Sequence, residues 1–211
     1  MDASEKNYGI RTLLLLVVML GVYLLLWQAL ATRWQLPVYA YGRLIEVLSL
    51  LLFIALAVST PMRFEEMGIV VPLKTLLRSL ALGAMVGLFF VALLAVLQLF
   101  FDGAVSFSWH IVGDISRITY FAVAPFQEVL AKSVMLYSLE LVLNKRHPHA
   151  ANALAALLFA AFHVAYGVKM MLAAATLSLV TGWLFLRVRA VWGCAIAHFC
   201  CGFFPYCFGI V

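Results

Sequence analysis

Glu128 and Lys132 stand four residues apart in one apolar run, and His163 and His198 stand in two later apolar runs. A charge at bilayer depth costs roughly 2.5–3.5 kcal/mol on insertion scales, so such groups face one another, a wet cavity or a substrate path. On an α-helix, positions 128 and 132 share a face and can neutralise each other. Ionisable groups from three segments need a common polar pocket, or each carries its own penalty. The chemistry this set supports is hydrolysis. A carboxylate withdrawn from bulk water is a general base for a bound water. One histidine orients or deprotonates that water, and the other donates to an oxyanion. Lys132 holds Glu128 ionised or orients it. The same residue types also serve a divalent metal such as zinc, although two His and one Glu are a thin ligand set and the spacing is not HExxH. They serve equally in the proton relay of a carrier.

Composition says what must position these groups. The chain has 211 residues, of which 66% are hydrophobic and 11% charged. Soluble domains average about 45–50% apolar and about 25% charged residues. The mean hydropathy is +1.10. This is the composition of a polytopic membrane protein with a lipid bilayer as its solvent. The net charge of +5 is not a nucleic-acid footprint, because no basic run is long enough and Lys and Arg here set topology. No nucleic-acid partner is expected. Cys194, Cys200, Cys201 and Cys207 all fall in the last apolar segment without a CxxC pair, which is the pattern of buried thiols rather than a zinc cluster. The first apolar run follows Lys6 and Arg11 and is longer than a signal-peptide core, so it is expected to be a retained membrane helix.

A spanning helix needs about 20 apolar residues. That length predicts seven spans, near 10–31, 39–60, 75–101, 118–144, 150–166, 170–188 and 190–211. The fold class is therefore all-α, a transmembrane helix bundle around a polar cavity. It forms a single membrane domain over 1–211, with two N-terminal spans in 1–61, an interfacial connector at 62–74 and the core at 75–211. Pro37 and Pro61 bracket the second span. Gly83 and Gly87 in the third form a small-xxx-small pair for close helix approach. His110, Asp114 and Arg117 fall in a mixed segment, where Asp114 and Arg117 are spaced to pair on a short helix. Pro125 removes one backbone hydrogen bond and kinks the fourth span just before Glu128. His147 and His149 are solvated loop residues.

Placing the N-terminus in the cytoplasm puts Lys6, Arg11, Arg63, Lys74, Arg78, Lys145, Arg146, Arg187 and Arg189 at inner ends. It leaves only Arg33, Arg43, Arg117 and Lys169 outside. A multi-pass protein of the cell (inner) membrane follows, with the pocket in the outer half of the bilayer.

The stretch from Ala124 to Ser133 resembles the EExxxR helix of the CPBP family, the CAAX-protease and bacteriocin-processing intramembrane proteases, also called Abi. Phe159 to His163 resembles its FxxxH motif, and His198 to Gly202 resembles its HxxxN motif. The resemblance implies a helical membrane bundle with a conical cavity and proteolysis of a membrane-associated peptide or protein by glutamate-activated water, without a metal cofactor. Carried over, it makes Glu128 the base, His163 its partner on the water and His198 an oxyanion donor, with Gln127, Lys132, Phe159 and Gly202 in supporting positions. Three positions depart from the pattern. Gln127 and Glu128 stand for paired glutamates, Lys132 stands for arginine, and Gly202 stands for asparagine. A second register puts Glu128 at the first glutamate, with Val129 after it and Ser133 at the arginine. The first register keeps a cation at that position. The expected function is an intramembrane peptidase, with a C-terminal sorting or anchor segment as one substrate class. The alternatives are a catalytically inactive scaffold, such as an immunity or assembly factor, and a proton-coupled carrier.

Overall fold

The computed structural model describes residues 3–34, 36, 38–59, 63–108 and 115–209; of these, the side chains of 3, 38, 39, 57, 59 and 115–118 are not described. Every regular element among them is helical: α1 (Ala3–Arg33), α2 (Val38–Ser59), α3 (Leu73–Asp102), α4 (Ile115–Glu128), a π-helical stretch Val129–Leu136, α5 (Tyr137–Val142), α6 (Pro148–Ala161), a 3-10 turn Val164–Tyr166, α7 (Val168–Val188) and α8 (Trp192–Cys207). Since α4, the π stretch and α5 run on without a break, these make seven helical rods in the places of the seven expected segments, with ends that differ by up to seven residues. The stretches 4–33, 73–102 and 168–188 are long and apolar enough to cross a bilayer on length and composition, and α6 is a shorter apolar helix. The outer faces carry large apolar side chains, among them Val18 and Leu25 of α1 and Phe89 and Phe100 of α3. Such faces suit lipid, and the chain is a membrane helical bundle. His110, Asp114, Pro37 and Pro61 lie outside the described residues, as does the side chain of Arg117.

Small residues decide which rods touch. Ser79, Gly83 and Gly87 follow one another at helical spacing on α3, and all are buried. A Cβ on Gly83 would run into the Gly193 backbone, and one on Gly87 would lie 2.6 Å from Cys200 Sγ. The two glycines therefore let α3 lie directly along α8. Ser79 locks the seam, donating to the Ala190 carbonyl at 3.2 Å and accepting from Gly193 N–H at 2.9 Å.

The connector does more than lie at the interface, as its amphipathic sequence suggested. Its Met67 is fully buried. The Gly68 carbonyl accepts from Val191 N–H at 3.0 Å, and the Ile69 carbonyl accepts from Trp192 Nε1 at 2.9 Å. These bonds dock the connector on the start of α8. Gly68 sits at φ 70, the left-handed region that suits a residue without Cβ. The polar end of the bundle gathers here. Arg63 pairs with Glu66 at 3.0 Å and Glu5 at 3.3 Å, and Lys145 reaches Glu5 at 3.8 Å. Tyr137 Oη donates to Glu66, whose carboxyl is held below its ordinary value by that bond and by the Arg63 guanidinium.

Candidate functional site

Glu128 is the last residue of α4, one turn after Pro125. Beyond it the backbone changes from i→i−4 to i→i−5 bonding, seen where Tyr137 N–H reaches the Lys132 carbonyl. Proline's missing donor loosens the ladder just upstream. A π stretch turns each residue through a smaller angle, so positions four apart no longer stack. The consequence is a correction to the pairing of Glu128 with Lys132. The buried Lys132 Nζ donates instead to Ser178 of α7, to the carbonyl at 2.8 Å and to Oγ at 2.7 Å. No ion pair joins Lys132 to Glu128 among the described residues.

Glu128 is fully buried, and its direct partner is His198 of α8. His198 Nδ1 lies 2.8 Å from Glu128 Oε1, an acceptor, so this nitrogen carries the proton. Thr181 Oγ1 of α7 stands 3.4 Å from the same oxygen and 3.1 Å from the Leu177 carbonyl, so its single proton is shared between them. Glu128 Oε2 is buried with no hydrogen-bond partner among the described residues. A bare carboxylate oxygen at this depth is expensive, and a water molecule is the smallest group that satisfies it.

His163 enters from the end of α6. This helix has 14 residues and is roughly 21 Å long, short of the ~30 Å hydrocarbon core. Its last carbonyls lack intrahelical partners. His163 Nδ1, 2.8 Å from the Phe159 carbonyl, supplies the N–H for one of them. That bond fixes the tautomer and leaves Nε2 as a lone pair. The Phe159 ring stands against both imidazoles, with centroids 4.8 Å from His163 and 5.9 Å, edge-on, from His198. No direct hydrogen bond links His163 to Glu128 among the described residues. Gln127 is half-buried beside Glu128.

The cluster is a carboxylate and two imidazoles of defined tautomer, with a buried cation held nearby. Among the described residues, no group of three or more His, Cys, Asp or Glu is placed to hold a metal ion. Neither Ser178 nor Thr181 was anticipated from sequence. They are ordinary hydroxyls in an apolar helix, and only their shared face, three residues apart, marked them. Tyr120 of α4 was missed as well. Its ring lies edge-on to His198, with centroids 6.2 Å apart.

Residues 115–204 match the family model described as Rce1-like, type II CAAX prenyl endopeptidase Rce1-like. The matched segment runs from the start of α4 into the last turn of α8 and includes Glu128, His163 and His198. The motif resemblance to CAAX proteases and this match point to the same family. Comparisons with curated proteins and with solved structures gave no match.

Proposed function

Taking residues 115–204 as a segment of the CAAX-protease family, we propose that the protein is an intramembrane peptidase that hydrolyses a membrane-associated peptide or protein with a glutamate-activated water. The observation that carries this reading is the 2.8 Å bond between Glu128 and His198 together with the unpartnered Glu128 Oε2. Oε1 is tied down, so the carboxylate is held in one orientation. Oε2 has the lone pairs that a water proton needs. The water oxygen bonds to the scissile carbonyl carbon while its proton passes to Oε2. His163, with Nε2 unprotonated, accepts a hydrogen bond from the same water. The tetrahedral intermediate then collapses, the C–N bond breaks, and the proton held by Glu128 goes to the leaving amine. Lys132, bonded to Ser178, supplies the positive field that keeps Glu128 ionised between turnovers.

The substrate class fitting a bilayer-embedded site is a peptide presented at the membrane surface, such as a C-terminal anchor. The charge distribution favours a cytoplasmic N-terminus in the cell membrane. No metal enters this scheme, so chelators should leave turnover intact.

The reading is tested with full-length protein and a fluorogenic peptide ending in a farnesylated CAAX sequence. Glu128→Gln abolishes cleavage, whereas Gln127→Ala is milder. Cleavage by the Glu128→Gln protein at the wild-type rate would rule out the base assignment. A second reading, an inactive family-like scaffold, draws on the departures at Gln127, Lys132 and Gly202. It requires that Glu128→Gln alter stability or partner binding but no hydrolysis.

A further inference from the structure

Each histidine of the site commits its Nδ1 proton to a fixed acceptor. His198 donates to Glu128 Oε1 and His163 to the Phe159 carbonyl, both at 2.8 Å. Each ring's Nδ1 proton is thus engaged, and a neutral imidazole has no second N–H to offer a developing oxyanion. The Lys132 ammonium is turned toward Ser178, and the Thr181 proton is shared between Glu128 and Leu177. Amide hydrolysis still calls for a donor at the oxygen that gains charge.

A further hydroxyl stands close to His198, over position 202. The chain has glycine there, one turn beyond His198 on α8. A Cβ built on Gly202 would collide with the hydroxyl of Tyr120, and next with its ring carbons Cζ and Cε1. The space that a side chain at 202 would occupy is thus filled by a phenol from α4. The same ring stands at 70° to His198, at 6.2 Å between centroids. Tyr120 and Glu128 lie two turns apart on one helix, and Gly202 and His198 lie one turn apart on another. The Tyr120 ring therefore packs against the His198 imidazole, and its hydroxyl fills the space over position 202 of α8.

We infer that Tyr120 is a catalytic residue that donates to the oxyanion, in place of a side chain at position 202. As the water oxygen bonds to the carbonyl carbon, the carbonyl π electrons move onto its oxygen. Tyr120 O–H donates a hydrogen bond to that oxygen and keeps its own proton. The inference rests on the peptidase reading above.

The test uses full-length protein in nanodiscs and the farnesylated CAAX peptide as probe. Loss of one oxyanion donor costs about 10²–10³ in kcat. Tyr120→Phe should therefore lose about 10²-fold in kcat, with KM within about twofold and an unchanged Tm. Turnover within about threefold of wild type, in a preparation where Glu128→Gln is inactive, overturns the Tyr120 assignment and leaves the peptidase standing. Turnover by Glu128→Gln overturns both. A second pair removes dependence on one variant's folding. Tyr120→Ala opens the space over position 202, and adding Gly202→Asn returns an N–H donor to it. The double variant should recover at least about tenfold in kcat over Tyr120→Ala alone, and no recovery overturns the inference.

Discussion

Arg189 holds Glu140 through both carboxylate oxygens, at 2.5 and 2.7 Å, although Glu140 is 2% exposed and Arg189 is 49% exposed. Arg189 also ends α7 in the left-handed region, with φ 55. The unequal exposure makes the pair asymmetric. Arg189→Ala strands a buried carboxylate and should cost about 1–3 kcal/mol. Glu140→Gln leaves a cation that water can reach and should cost less. Thermal unfolding of the two purified variants checks this; equal losses would show that the bridge is not the cause.

The α3–α8 seam predicts a second contrast. A Cβ at Gly193 would press on the Ser79 carbonyl and Oγ, whereas one at Gly21 meets nothing within 4 Å. Gly193→Ala should lose about 1–3 kcal/mol through overpacking. It should also lower peptide turnover, because it displaces the helix that carries His198. Gly21→Ala should be neutral or stabilising by up to about 1 kcal/mol, since alanine is the better helix former. Turnover and Tm measured on both proteins test the pair.

Glu66 gives a pH dependence. Its ordinary value is 4.5, and the Tyr137 hydroxyl first, then Arg63, lowers it in the folded protein. A depressed carboxylate contributes stability that is complete above the unfolded value and lost as pH falls through the folded one. The Tm difference between wild type and Glu66→Gln should be constant from neutral pH down to about 5 and shrink below the unfolded value. A difference that grows on acidification would reverse the sign of the argument.

Lys132 and Glu128 should be coupled although they do not touch. Lys132→Met removes a buried cation whose field reaches the Glu128 carboxylate and should destabilise the fold. Adding Glu128→Gln removes the charge left behind and should restore much of that loss. A double-mutant cycle on Tm should give an interaction of at least about 1 kcal/mol, and additive losses would show that the two groups are independent.

The rods were legible because hydropathy and length suffice for helices in lipid, and Gly83 and Gly87 announced a close helix approach, although not that α8 makes it. His198 and Glu128 were legible as costly polar groups in apolar runs. The partner of Lys132 was not. A helical wheel assumes i→i−4 bonding, and nothing in Val129–Leu136 signals the change to i→i−5. Ser178 and Thr181 resemble any small polar residues that help helices pack. Tyr120 was hidden because an aromatic in a membrane helix reads as core, and the meaning of Gly202 emerges only when the phenol above it is seen. The connector was read as interfacial because its bonds to α8 run through backbone carbonyls, which no side-chain pattern records.

Glu128 lies on α4 and His198 on α8, so the ribosome makes the carboxylate well before its imidazole. Until α8 packs, the nascent bundle carries a carboxylate at membrane depth with no N–H to receive. That intermediate is costly. The docking of α8 on α4 thus gives the buried carboxylate its partner and closes the bundle in a single packing event.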